Sequence, residues 1–295
     1  MKELEQFGIL EKDISLKKYN TYRLETEASY VLHPKDVGSL LSFLEFAQQN
    51  DVPYFILGNG SNVIFSDSKY EGVIVKLDLL NHISYEGQHV TVGAGVMMNF
   101  LALEIIKNGL SGLEWASGIP GTVGGCIFGN AEAYKTSTFE YLTTVTYIDK
   151  DLHLIKKEKD KLSHGYRTSY FKEHPENIII EATFTFPKGT KEQSLELIRD
   201  RLQRRLSTQP LEYPSAGSVF RNPSSELASG KLIDDLGLKG KQIGGACISE
   251  KHANFIINIG GATGKDIRDL IKLIQEKVKE VYQIDLILEQ ETKDW

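Results

Sequence analysis

Ser117 to Tyr134 reads SGIPGTVGGCIFGNAEAY, with glycine at 118, 121, 124, 125 and 129. Glycine weakens helices and strands alike, so this composition argues against a regular element. It allows positive φ and a close approach of the backbone to something else. Pro120 fixes one φ angle and removes one N–H. Ser117, Gly118, Ile119, Pro120, Gly121, Thr122, Gly124 and Gly125 therefore read as a shaped loop. Its main-chain N–H groups can form a nest for anionic oxygens. A plain solvent turn is the alternative. The interleaved apolar residues Ile119, Val123, Ile127 and Phe128 make the run too long and too apolar for one.

A second glycine cluster, Gly58-Asn59-Gly60-Ser61-Asn62, follows the apolar run Tyr54-Phe55-Ile56-Leu57. A strand emptying into small donors is a usual place for a diphosphate. Neither G-x-G-x-x-G nor the P-loop is present, since no Gly-Lys-Ser/Thr follows. Two such loops, each after an apolar segment, suggest one large ligand held from two sides. A cofactor the size of FAD fits that expectation.

Bulk properties narrow the class. A chain of 295 residues suggests two or three domains. With 41% hydrophobic and 25% charged residues it can bury a full core. A net charge of −6 argues against nucleic acid as a partner. Arg199, Arg201, Arg204 and Arg205 read as a solvated helix face, with an anion-binding role as the alternative. The polar start Met1-Lys2-Glu3-Leu4-Glu5 has no apolar signal region, and no stretch is long enough to cross a membrane. Cytoplasmic residence with Cys126 and Cys247 as reduced, buried thiols follows as the expectation. The seven histidines show no ligand spacing, so no metal is expected.

Periodicity orders the rest. Asp36 can cap a helix to about Asn50 with Val37, Leu40, Leu41, Leu44 and Ala47 inward. Strands are expected at 54–57, 73–77, 90–92, 143–147, 153–156 and 178–186, with a helix at 98–108 stopped by Gly109. Pro187-Lys188-Gly189-Thr190 marks a composition shift, followed by a charged helix at 191–206. A short helix at 232–236 and strands at 246–248 and 255–259 come next. Thr263 and Asp266 open a last helix with the apolar stripe Ile267, Leu270, Ile271, Ile274, Val278 and Val281. A strand at 284–288 and a polar tail, Glu289-Gln290-Glu291-Thr292-Lys293, close the chain. Arg167, between Tyr166 and Tyr170, is either a surface residue or a bidentate carboxylate holder. Ser218 lacks a G-x-S-x-G elbow and an evident base, which argues against a serine nucleophile.

Taken together, SGIPGTVGG with Asn-Ala and Ala-Tyr, GNGSN, YRTS, QPLEYPSAGSVFRNP and GLKGKQIGGACISEKHANFIIN resemble the UDP-N-acetylenolpyruvoylglucosamine reductase family. The resemblance runs in order from about Asn20 to Glu291. It implies an α+β (mixed α/β) fold: a two-part FAD-binding module of the PCMH/vanillyl-alcohol-oxidase type plus a C-terminal α+β substrate-binding domain. The expected divisions are 1–71, to which the tail 289–295 can return, 72–187 and 188–288. The short link from Arg167 to Pro187 resembles the compact subtype without an inserted substrate-covering loop. Non-covalent FAD, with Leu57 and Ile180 beside the two loops, and NADPH as co-substrate are implied. So is a small nucleotide-sugar substrate whose enolpyruvyl ether takes a hydride at C3 and a proton at C2.

Carried onto matching positions, Arg167 and Glu291 are the enolate-stabilising pair and Ser218 the proton donor, with Glu289 the fallback for Glu291. Such a Glu291 needs a proton of its own or one shared with the enolate, hence a raised pKa in a dry site. Tyr166, Arg221 and Asn222 are candidate substrate contacts. An oligomeric state no higher than a monomer or weak dimer is expected. An FAD oxidase of another alcohol or sugar, and a non-catalytic nucleotide-sugar-binding relative, are the alternatives. The family usually has Asn-Ala-Gly-Ala-Tyr-Gly where this chain has Asn130-Ala131-Glu132-Ala133-Tyr134-Lys135. A Cβ is costly where φ must be positive, so those two positions are places to look for a changed loop. Arg23-Leu24-Glu25-Thr26 likewise replaces glycines.

Overall fold

The strand Ile178–Thr185 buries Ile180, Ala182 and Phe184 and turns Glu181, Thr183 and Thr185 outward, the period of two that a pleated strand imposes. It is the middle of an antiparallel five-stranded sheet, ordered Leu154–Glu158, Leu142–Ile148, Ile178–Thr185, His89–Gly93, Ile83–Glu86. The computed structural model describes residues 2–293 and divides the chain into two compact units. The first runs to Lys12 and includes Tyr30–Asn59 and Glu71–Gln203; the second comprises Asp13–Ser29, Gly60–Tyr70 and the chain from Arg204 onward.

Most residues of a four-stranded sheet ordered Gly8–Ser15, Glu27–Pro34, Tyr70–Val75, Tyr54–Ile56 fall in the first unit. The helix Val37–Gln49 starts where Asp36 accepts a bond from the Ser39 N–H, as its sequence signal requires. The helix Met98–Lys107 is ended by Gly109, at φ +73°. Both helices contribute to one apolar core in which Phe43, Leu101, Ile105, Phe171, Phe184 and Phe186 are buried, with the rings of Phe184 and Phe186 stacked. Cys126 lies in that core, and burial pushes its thiol up to about 12. Cys247, in the second unit, is only half-buried, short of the burial expected for it. At the turn after Leu142–Ile148, Asp149, Asp151 and His153 bring ligand-type atoms within 4.8 Å of one another. The Asp149 carboxylate accepts from the N–H groups of Asp151 and His153, so the grouping has a turn-forming cause.

One buried charge in the first unit makes a testable contribution. His33 Nδ1 lies 2.8 and 3.0 Å from the two Asp78 oxygens, and Nε2 lies 3.3 Å from Glu11. The Asp78 contact, helped by Glu11 and opposed by burial, raises the His33 pKa above its ordinary 6.5. Burial pushes the Asp78 carboxyl up, but the His33 contact, its own main-chain N–H and the Lys76 charge together bring the net shift down. The imidazolium is thus favoured in the folded state, so its stabilisation is complete below pH 6.5 and is lost as pH rises through the folded value. Thermal melts from pH 6 to 9 should show wild type losing stability relative to His33→Gln. Parallel curves would remove the charge from the account.

The second unit is built on the helix Gly264–Tyr282. Thr263 and Asp266 form the expected reciprocal capping box, and Asp67 accepts from the Gly264 and Lys265 N–H groups at 2.5 and 2.9 Å. Ile267, Leu270, Ile271, Ile274 and Val278 are buried, each worth about 2 kcal/mol on an area basis. Val281, read from the sequence as part of this stripe, is 56% exposed, one turn past the packed surface. The short helix before it spans Ser229–Asp235, three residues earlier than expected. A three-stranded antiparallel sheet, Gln242–Ile243, Ala246–Ile248 and Ile256–Asn258, packs alongside. Residues 284–288, expected as a strand, make one isolated bridge, Leu288 to Phe220. The polar tail is the strand instead: Glu291–Lys293 pairs in parallel with Val63–Phe65.

Candidate functional site

In the first unit the two glycine loops meet. A Cβ on Gly58 would sit 2.9 Å from Thr122 Oγ1, and Asn59 Nδ2 donates to the Pro120 carbonyl at 2.6 Å. Thr122 has its own task. Its hydroxyl accepts the Gly125 N–H and caps a helix, Val123–Phe128, so the long loop is regular where its glycine content argued against it. That helix sits against the sheet through a relay of main-chain bonds, Gly124 N–H to Ala94 and Ala94 N–H to Ile180. Glycine at 124 eases that approach, since a Cβ would come 3.0 Å from the Ala94 Cβ. Leu57, one residue past the strand Tyr54–Ile56, which ends short of the expected 54–57, and Ile180, within Ile178–Thr185, are both buried. Among the described residues, the main-chain N–H groups of Gly58, Asn59, Gly118, Gly121 and Thr122 have no acceptor. This is a set of free donors around a close approach that only glycine allows. It suits the diphosphate of a dinucleotide cofactor.

The sequence reading missed Lys76, at the end of an apolar strand. Its ammonium is buried and donates to the Gly58 carbonyl, and burial lowers its pKa to about 8. A lone lysine after apolar residues carries no motif, so nothing in the sequence singled it out.

The far end of the long loop holds Arg167. Tyr166 and Arg167 form the turn between the paired residues His164–Gly165 and Thr168–Ser169. Asn130 Nδ2 donates to the Gly165 carbonyl at 2.8 Å, Ser169 Oγ to Phe128 at 2.6 Å, and Arg167 Nη2 to Glu132 at 3.3 Å. Arg167 itself has φ +58°, a conformation with a cost for any residue bearing a Cβ, here fixed by the surrounding bonds.

The two replaced glycines separate cleanly. Glu132 lies in a short strand with Ala133 and needs no positive φ. Tyr134 and Lys135 are the central residues of the hairpin turn, at φ +54° and +63°, the double left-handed geometry of a type I′ turn. The loop keeps a shape that suits glycine, and Lys135 bears the strain. Lys135→Gly should raise stability by about 1 kcal/mol, the order of the left-handed penalty, read as a higher denaturant midpoint at unchanged slope. A lower midpoint would mean that the Lys135 side chain makes an offsetting contribution.

The second unit carries Ser218, Arg221, Asn222 and Glu291. Ser218 follows Gly217, at φ +75°, on a loop docked against residues 287–290. Arg221 N–H donates to Ile287 and Glu289 N–H to Val219, at 2.9 and 2.8 Å. Asn254 is buried with both ends of its amide on Phe220, accepting from the N–H at 3.0 Å and donating to the carbonyl at 2.8 Å. Glu289, the fallback for Glu291, faces Arg221 Nε at 3.3 Å. Asn222 Oδ1 accepts the Ser229 N–H at 3.1 Å. The Glu291 N–H donates to Asn62, whose own side chain donates to the Glu289 carbonyl. Asn62 thus pairs with the tail, and Gly60 and Ser61 fall in the same packing unit. Asn20, buried, accepts from Leu24 N–H and donates to Leu16 and Leu24 carbonyls, so this early asparagine is spent on its own turn.

Two family models and several known proteins match this chain. Residues 28–156 match an FAD binding domain family, and residues 209–293 match the UDP-N-acetylenolpyruvoylglucosamine reductase C-terminal domain. The UDP-N-acetylenolpyruvoylglucosamine reductase of Clostridium botulinum (strain Okra / Type B1) is 39% identical over 274 residues, 93% of this chain and 89% of that protein. That of Clostridium perfringens (strain SM101 / Type A) is 39% identical over 93% of this chain and 90% of its own. The crystal structure of the Thermus caldophilus reductase superposes with a TM-score of 0.83 at 30% identity, covering 97% of this chain and 100% of that one. The free donors, the glycine approach and the domain match make the first unit a fit for FAD. By sequence and by fold, the chain belongs to the UDP-N-acetylenolpyruvoylglucosamine reductase family.

Proposed function

We propose that this chain catalyses the NADPH-dependent reduction of UDP-N-acetyl-3-O-(1-carboxyvinyl)-glucosamine to UDP-N-acetylmuramate, a step of peptidoglycan precursor synthesis. The observation that carries the reading is the near full-length match to reductases of this name, joined to a glycine-lined donor set suited to a dinucleotide. FAD, bound non-covalently, supplies the two-electron path between NADPH and the substrate. Gly58, Asn59, Gly118, Gly121 and Thr122 would hold its diphosphate through main-chain N–H groups. Lys76 adds positive charge under the first loop.

The rest of the chemistry belongs to side chains. Hydride addition at C3 of the enolpyruvyl group leaves negative charge at C2 and on the carboxylate. Arg167 and Glu291 oppose that charge, and the Ser218 hydroxyl gives its proton to C2. Tyr166, Arg221 and Asn222 hold the substrate. In this reading residues 1–71 and 72–187 serve the cofactor and 188–288 the sugar nucleotide, a functional division finer than the two packing units. Among the described residues no helix is long and apolar enough to cross a membrane. We assign the enzyme to the cytoplasm, as a monomer or weak dimer.

The test is an anaerobic visible spectrum of purified protein, titrated with NADPH and then with the enolpyruvyl sugar nucleotide. The oxidised flavin band should bleach with the first and return with the second. A band restored only by oxygen would move the chain to the oxidases. No band after adding FAD would refute the cofactor site.

A further inference from the structure

Gln290 stands between Glu289 and Glu291 and is 3% exposed. A buried primary amide needs partners on both ends. Nε2 donates to the carbonyls of Ala216 and Gly217, at 3.0 and 3.3 Å, the two residues that lead into Ser218. Oε1 accepts from the Tyr22 hydroxyl at 3.0 Å. Burial raises the Tyr22 pKa far above its ordinary value, so its hydroxyl stays neutral and remains a donor. Only one orientation of the amide satisfies all three contacts: oxygen to the hydroxyl, nitrogen to the carbonyls. Tyr22 is itself fixed, its carbonyl accepting from Asn258 Nδ2 at 2.8 Å. The neighbouring residue, Glu291, is anchored through its N–H to Asn62.

We propose that Gln290 is a positioning residue for the Ser218 hydroxyl, tying the loop that presents it to the strand that carries Glu291. The proposal rests on the reading of Ser218 as proton donor. On one side of Ser218, Asn254 fixes Phe220 and the Val219 N–H; on the other, Gln290 holds the Ala216 and Gly217 carbonyls, and the Tyr22 hydroxyl that it accepts from also meets the Ala216 main chain. Gly217 has open space about it and a left-handed φ. Without the amide the segment before Ser218 can turn, and the hydroxyl loses its aim.

The experiment uses FAD-loaded enzyme reduced anaerobically with NADPH and mixed with the enolpyruvyl sugar nucleotide. Gln290→Leu keeps the side-chain volume and removes the amide. It should slow substrate-dependent reoxidation about 10²-fold, the order expected for a misplaced group, while reduction by NADPH stays at the wild-type rate. In a Ser218→Ala background the same change should add nothing, because a residue acting through Ser218 has nothing left to position. Tyr22→Phe, which frees Oε1 and the hydroxyl's contact with the Ala216 main chain but leaves both Nε2 bonds in place, should show a smaller slowing with the same dependence on Ser218, and decides the matter if Gln290→Leu does not fold. An unchanged rate, or equal slowing in both backgrounds, overturns the proposal. A wild-type rate in Ser218→Ala alone would instead overturn the assignment of Ser218, before any change at Gln290 is read.

Discussion

Ser218→Ala should bind FAD, accept electrons from NADPH at the wild-type rate, and return them to the enolpyruvyl sugar nucleotide about a thousandfold more slowly. The magnitude is the middle of the range for a positioned proton donor. The selectivity follows from where the hydroxyl sits. The loop from Ala216 to Asn222 is held by main-chain and amide contacts at Val219, Phe220, Arg221 and Gln290, none of which uses the Ser218 side chain. Ser218 is not among the residues with positive φ, so alanine fits its backbone. Nothing in the fold should change except the proton. A serine hydroxyl is a weak acid in water, and it can serve only because the charge that develops at C2 is strongly basic. Ser218→Cys, with a more acidic group in the same place, should recover part of the lost rate. Stopped-flow absorbance of the flavin band separates the two half-reactions. Reoxidation of Ser218→Ala at the wild-type rate would place the proton elsewhere.

Helices and central strands were legible because each carries its own period. Val37–Gln49, Met98–Lys107 and Gly264–Tyr282 start and stop where caps and glycines say they should. The glycine loop misled in one respect. Its glycine count argued against a helix, yet Thr122 caps one, and Gly124 lies inside it, close against Ala94. The tail misled in another. Ile284, Leu286 and Leu288 alternate like a strand but make a single bridge, while charged Glu291–Lys293 pairs with Val63–Phe65. Strand pairing across such a separation is set by tertiary packing, which local propensity does not encode. The tail's polar composition suits a solvated terminus, yet Gln290 is buried within it. The candidate chemistry at Arg167, Ser218 and Glu291 came from resemblance. Their supports, Asn130, Asn254 and Gln290, came only with the structure, because an amide gives no sign in sequence of which carbonyl it will meet.

Gly60→Ala should destabilise the second unit by about 3 kcal/mol, and Gly87→Ala the first by about 1 kcal/mol, although both glycines have φ +61°. The shared φ sets a common penalty of order 1 kcal/mol for a Cβ in the left-handed region. The surroundings set the difference. A Cβ on Gly87 meets nothing within 4 Å; one on Gly60 would lie 2.1 Å from the Tyr19 carbonyl oxygen and 2.9 Å from the Asn20 Cα. Those atoms cannot yield cheaply. Asn20 is buried and spends its amide on Leu16 and Leu24, and the Gly60 carbonyl accepts the Thr21 N–H at 3.1 Å. Room for the methyl group must come from moving backbone, as in an overpacked core, at a further few kcal/mol. The displacement would begin two residues before Asn62, which receives the Glu291 N–H. Gly60→Ala should therefore also slow substrate-dependent flavin reoxidation, and Gly87→Ala should not. Denaturant unfolding of the two variants beside wild type, with stopped-flow reoxidation of each, is the measurement. Equal losses of stability would show that backbone conformation alone, and not the contact with Tyr19 and Asn20, requires glycine at position 60.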